Sequence, residues 1–313
     1  MRRAAALVLL ISALALGGCT RVEEDQPVEL TPPFWEVHDE QTGGTLYLLG
    51  SMHVGKKDTY YPDYVLDAYE SSTVVAAEVD TEAEQSVILE GMQHLMCPVG
   101  TDAKAFFGED YTRVTDFMKS KGLYTPALDG YIPYFWSSYL STAVAEECRL
   151  YSNYGSETFF LGSAHEDEKT IVEIESFDEQ YLMMSEIPMS IQLLSIDLAI
   201  GEEHYAEQQE STKALYEAWS TFDEKALETL NTSLYDGVPP ELNEDYAAFV
   251  DMMYIDRQQK MADAAVELLK SGDTSFMLVG AAHFYVEEDI LTLLEAEGYM
   301  IKEVRSDDAA QAA

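Results

Sequence analysis

The chain has 313 residues, of which 18 are Lys or Arg and 58 Asp or Glu, giving a formal net charge of −40 at pH 7. Such a surface repels a phosphate backbone and argues against nucleic acid as a ligand. A 47% share of hydrophobic residues beside 24% charged ones supplies a sizeable core, so a disordered chain is excluded as well.

The first segment, MRRAAALVLLISALALGGCT, sets two arginines before an apolar run over residues 4–16 and a small-residue exit. That layout is a secretory signal and is too short, with these flanks, for a membrane span. Its ending, Leu16-Gly17-Gly18-Cys19, resembles the bacterial lipoprotein signal, which predicts cleavage before Cys19 and lipidation of that residue. An ordinary signal peptide ending near a cysteine is the alternative. Residues 1–18 are therefore expected to be a signal peptide, and residues 19–33, rich in Glu, Asp, Thr and Pro, a tether to the membrane. Cleavage removes Arg2 and Arg3 and no acid, leaving 16 basic against 58 acidic residues, a formal charge of −42. Two cysteines remain beyond Cys19, namely Cys97 and Cys148. Export permits a bridge between them without requiring one, and their spacing fits no zinc pattern.

Short β-rich apolar runs fall at residues 46–49, 73–77, 170–174 and 276–279, with the weak polar alternation of strands covered on both faces. Helical patterns lie between them: 61–71, with Pro62 in its first turn, then 185–198, 203–218 and 245–269. Strands alternating with helices predict a single α/β domain over residues 34–305, with a central, largely parallel sheet and flanking helices. The helical insertions 82–164 and 186–270 are long enough to form a cap. One of them carries GYIPYFWSSYL, whose aromatics either line a pocket or pack in the interior. Val238-Pro239-Pro240 reads as a loop, and the tail 306–313 as disordered.

Two strands run into the same motif. The first delivers Gly50 and then His53, and the last delivers Gly280 and then His283. In an open α/β sheet, ligands bind beyond the carboxyl ends of the strands. Both imidazoles therefore belong to one site. Glu78 ends the second run with Asp80 just beyond, and Glu175 ends the third. Two neutral imidazoles with one or two carboxylates can hold a divalent transition metal that leaves positions open for water and substrate. Without metal, a carboxylate-activated histidine and a second histidine supply general acid–base chemistry. Either scheme gives hydrolysis. A third copy of the motif, ending at His165, reads as the end of a helix and as coincidence, while His38, His94 and His204 read as surface or packing residues. Nucleophile elbows, metalloprotease helices and phosphate loops are missing, and nothing in the sequence holds Ser51 against a base. Arg257 is expected to orient a substrate carboxylate, to pair with Glu78 across the site, or to pair in solvent along its helix.

GSMHVG, VVAAEVD, the block from GSETFF to VEIESFDEQ, DRQQKMADAAVELL and VGAAHFYVEEDILTLLEAEGY resemble, in order and context, the TraB/PrgY/GumN family over residues 44–304. The paired Gly-x-x-His motifs are the specific part of the likeness, which is strongest to the GumN-type bacterial branch. The resemblance implies an α/β fold shared with the Tiki proteins and, more remotely, with erythromycin esterases. It also implies export or lipid anchoring. The Tiki relatives are membrane-anchored metalloproteases that use manganese- or cobalt-type ions; carried over by motif position, their two histidines and glutamate are His53, His283 and Glu78. Another relative reduces peptide pheromone activity outside the cell. Gln258 and Phe284 depart from residues common in relatives and put pocket specificity in question. The expectation is an extracytoplasmic, membrane-anchored, metal-dependent peptidase using manganese, cobalt or zinc and acting on a peptide or small molecule, with His53, Glu78, His283 and Arg257 as its site. The alternatives are a protein that sequesters a signalling peptide or small ligand without turnover, and a metal-independent esterase.

Overall fold

A computed structural model describes residues 27–232 and 238–305, so the signal segment, Cys19 and the tail 306–313 lie outside the described residues. The strands are β1 (Val28–Glu29), β2 (Phe34–His38), β3 (Thr45–Ser51), β4 (Thr59–Tyr60), β5 (Val74–Ala77), β6 (Thr170–Glu173), β7 (Thr274–Gly280) and β8 (Met300–Glu303). Six of them form one sheet in the order β6-β5-β7-β3-β2-β8, and β1 pairs with β4 beside it. The pairs β6/β5, β5/β7 and β7/β3 are parallel, whereas β2 runs antiparallel to both β3 and β8. All four expected runs are strands in a largely parallel sheet. The two additional strands of that sheet, β2 and β8, lie on one side of it, and MIKE of β8 alternates half-buried with exposed residues instead of running apolar.

Continuous apolar sequence belongs in the middle of such a sheet, and β7 is buried from Ser275 to Gly280. The helices Asp63–Ser71 and Ser156–Glu166 lie against it through Tyr69 and Phe160, whose rings stand 5.9 and 4.8 Å from that of Phe276. Helix Asp256–Lys270 buries Met261, Ala265 and Leu269, a stripe repeating every four residues, and packs on β3 and β7. Both insertions fold largely into helices. Of the GYIPYFWSSYL aromatics, Tyr134, Phe135 and Trp136 in helix Pro133–Glu147 are interior packing: Trp136 is fully buried and meets Phe107 edge-on at 5.1 Å.

Three helical expectations change in detail. Pro62 caps the helix Asp63–Ser71 in extended conformation, standing just outside the first turn. The pattern 185–198 divides into Phe177–Glu186 and Met189–Asp197, because Pro188 cannot donate the intrahelical bond and forces Ile187 out of the helical region. The pattern 245–269 is interrupted by a π-helical turn, Asp251–Ile255, between Asn243–Val250 and Asp256–Lys270. Cys97 and Cys148 are unbridged, each with its sulfur directed at a backbone carbonyl.

Candidate active site

Taken across the sheet, the carboxyl ends of β6, β5, β7 and β3 are followed by Glu175, Glu78, His283 and His53. Three of these, with Glu157, Gln180 and Arg257, line a pocket of about 190 Å³. Parallel neighbours bring this about, since register pairs Ser51 with Gly280 and Ala77 with Leu278, so the turns leave the sheet at one level.

His53 is held by its neighbours on two sides. Its Nδ1 lies 2.9 Å from Glu157 Oε1, which also accepts a 2.5 Å hydrogen bond from Ser51 Oγ. Glu157 reaches it because the helix Ser156–Glu166 begins against the His53 backbone. Ser156 donates its N–H to the Met52 carbonyl at 2.9 Å, and its hydroxyl accepts from Met52 N–H and from the Tyr61 hydroxyl at 3.0 Å each. A Cβ on Gly155 would stand 2.3 Å from the His53 carbonyl oxygen, so only glycine allows this approach. Burial opposes charge on His53, but the Glu157 carboxylate outweighs it and pushes the imidazole up to about 9. Burial likewise opposes charge on Glu157, and His53 and Ser51 lower it nonetheless.

Glu78 is fixed through both oxygens. Oε1 accepts from the Gly280 N–H at 2.7 Å, and Oε2 accepts from Arg257 Nη2 at 2.5 Å and from Gln180 Nε2 at 3.3 Å. Arg257 is itself gripped by Glu175 through Nε at 2.8 Å and Nη2 at 2.6 Å, a bidentate geometry that lysine cannot make. Its Nη1 donates to the Met253 carbonyl in the π turn, and Gln180 Nε2 also reaches Glu175 Oε2 at 2.8 Å. Burial would raise Glu78, but Arg257, the two histidines and the Gly280 N–H hold it down to about 2.

His283 is 3% exposed and sits on the turn Ala281–Phe284. Its carbonyl accepts from Gln258 Nε2 at 2.9 Å and its ring lies 5.7 Å from that of Tyr254. Its Nδ1 is buried and makes no hydrogen bond to any described residue. Burial pushes the imidazole down to about 3, so it is neutral at physiological pH.

The pocket thus gathers His53, Glu78, His283 and Arg257. Of the readings open for Arg257, the structure shows the pair with Glu78, buried and anchored by Glu175 instead of solvated. Asp80 turns away: its carboxylate meets His165 Nε2 at 2.8 Å, and its N–H donates to Glu173. His165 is helical, as expected. Ser51 is held against a carboxylate after all, but it is 2% exposed and does not line the pocket. Glu157 and Gln180 escape sequence reasoning. Glu157 lies inside the quoted GSETFF block, yet no local spacing ties an acid in the first turn of that helix to a histidine 104 residues earlier.

For a metal, the donor chemistry fits. His283 is neutral with an unsatisfied buried nitrogen, Glu78 is ionised, and His53 has the carboxylate behind it that commonly orients a ligating imidazole. Among the described residues, no three His, Cys, Asp or Glu side chains already converge as a metal cluster.

Neither a curated protein nor a solved structure matches the chain. The model of the TraB/PrgY/gumN family matches residues 33–303, nearly the whole length, and the chain belongs to that family.

Proposed function

We propose that the chain is an extracytoplasmic hydrolase, lipid-anchored through Cys19, that cleaves peptide substrates with a divalent metal, manganese, cobalt or zinc, held by His53, Glu78 and His283. One observation carries the reading: a single pocket holds one imidazole driven towards charge and another driven towards neutrality, with an ionised carboxylate fixed beside them. Titratable pairs pushed apart in this way are how a site divides acid from base work.

Glu157 secures a proton at His53 Nδ1, so Nε2 is the nitrogen that would hold the metal, whereas in the metal-free scheme the doubly protonated ring would give its Nε2 proton to a leaving group. His283 stays unprotonated and offers a lone pair. Arg257, anchored by Glu175, keeps Glu78 ionised and prevents its rotation, so both its position and its charge are set before substrate binds. The chemistry a divalent metal would supply there is polarisation of the scissile carbonyl and hydroxide near neutral pH. A pocket of about 190 Å³ suits the acyl group and one flanking side chain, not a whole drug-sized ligand.

A second reading, metal-free ester hydrolysis, draws on the engagement of both Glu78 oxygens by Arg257 and Gly280. The deciding experiment measures metal content and peptide-library turnover of the full chain in detergent, as wild type, His53→Ala and His283→Ala. Near-stoichiometric metal, lost in both variants together with turnover, is expected; loss of acid–base catalysis alone is worth roughly 10²–10⁴-fold in rate. Wild-type turnover in either folded variant overturns the site. Activity that survives thorough removal of metal moves the mechanism to the esterase scheme, and ligand recovered intact by mass spectrometry after saturable binding moves it to sequestration.

A further inference from the structure

Beside the pocket, across a strap formed by the reciprocal backbone bonds of Gly55 and Tyr151, lies a larger cleft of about 580 Å³. The same two segments serve both sides. His53 is three residues before Lys56, and Arg149 and Tyr151 line the cleft just before Ser152 lines the pocket. Four basic residues, Lys56, Lys57, Arg149 and Lys213, line the cleft with only two acids, Asp58 and Glu217. That inverts the balance of a chain with 18 basic and 58 acidic residues.

These lysines are not spent on the protein itself. Among the described residues, no carboxylate lies within ion-pair distance of Lys56, Lys57 or Lys213, although acids outnumber bases about threefold in the chain. Lys56 instead stands over the buried Tyr216 ring at 5.2 Å, and the Tyr216 hydroxyl accepts from the Lys56 N–H at 3.4 Å, which fixes that part of the wall. A concave site with an aromatic wall and a cationic rim, in a molecule whose wider field repels anions, concentrates favourable potential in one place.

We propose that this cleft binds an acidic peptide segment, a carboxylate-bearing extension of the chain whose scissile bond occupies the neighbouring pocket. This rests on the hydrolase reading for the pocket, while the binding itself does not. Concavity and the strap shared with the pocket favour a peptide over an anionic bilayer, which docks on flat or convex basic faces. Cations of this kind act as steering charges, so the affinity falls with salt.

The test measures binding of fluorescent tetraglutamate to the full chain in detergent by anisotropy, with tetraglutamine as control, at low and at physiological ionic strength. Wild type is expected to bind tetraglutamate and not tetraglutamine. The triple variant Lys56→Ala, Lys57→Ala, Lys213→Ala is expected to bind on the order of tenfold more weakly, as three exposed charge contacts allow, and salt is expected to weaken the wild type. If the triple variant does not fold, the exposed single reversal Lys57→Glu serves in its place. Equal binding by the variant, or no tetraglutamate binding by wild type at low ionic strength, overturns the proposal. Capture by phosphatidylglycerol vesicles without peptide binding also overturns it and assigns the face to the bilayer. His53→Ala should still bind the peptide, so a failure of the hydrolase reading shows as unchanged turnover in that variant while the cleft is judged on binding alone.

Discussion

Glu157 and Glu175 play parallel parts, each holding a cationic side chain that in turn faces the pocket: the first grips His53 and the second Arg257. Replacing Glu157 by Gln keeps a carbonyl that accepts from Ser51 but removes the counter-charge. Turnover is expected to drop about 10–100-fold, the range for a residue that orients a working histidine. In the same variant the His53 imidazole should fall from about 9 towards its ordinary 6.5, read by NMR titration; an unmoved titration would refute the positioning role. That His53, His283 and Glu78 line one pocket was legible in the sequence, because each follows the end of a parallel strand, the histidines three residues past a glycine and Glu78 directly after β5. Glu157 was not, since its contact with Ser51 spans 106 residues and exists only once a helix has docked.

That docking is a property of the element, and Gly155 is its tightest point. Gly155→Ala forces the helix Ser156–Glu166 away from the His53 carbonyl, which its Cβ would otherwise meet at 2.3 Å. Overpacking of this kind costs about 1–3 kcal/mol, so the urea midpoint should fall and turnover should fall with it as Glu157 withdraws; a variant with both at wild-type values would show that the backbone there yields freely. The long helical pattern before β7 illustrates a different limit of legibility. Met252, Met253, Met261 and Val266 cannot share one face of a regular helix, and that inconsistency is visible in the sequence. The π turn Asp251–Ile255 shifts the phase of the helix between Met253 and Met261, and the Met253 carbonyl accepts from Arg257 Nη1. Periodicity reports that a slip occurs; which residues absorb it depends on what the helix packs against.

At the scale of the molecule, the buried ionised Glu78 couples the site to acid stability. Its folded-state value of about 2 lies below its ordinary 4.5, so the unfolded chain takes up a proton first. The stability it contributes is therefore complete above about pH 4.5 and is lost as the pH falls towards 2. Melting temperatures measured across that window should fall less steeply in Glu78→Gln than in wild type, while at neutral pH the variant is less stable by about 1.5–3 kcal/mol, the range for a hydrogen bond to a charged group, because Arg257 keeps its pair with Glu175. An equal acid slope in both would mean that Glu78 is not held ionised. Four of the six strands of the main sheet were readable as apolar runs, but not their order, because β7 is inserted between β5 and β3 from about 200 residues downstream. The antiparallel β2 carries one more consequence. Its first residue, Phe34, pairs with Leu49 near the finish of β3, and the Pro33 carbonyl accepts from the Gly50 N–H, so β2 enters the sheet at the same end as the pocket. Because β1 already pairs with β4 and Leu30 is buried, only residues 19–27 would serve as a leash under the proposed anchoring, about 30 Å at most when fully extended. Under that proposal the anchor would set a working height above the bilayer, and the length of the leash would select which substrates come within reach.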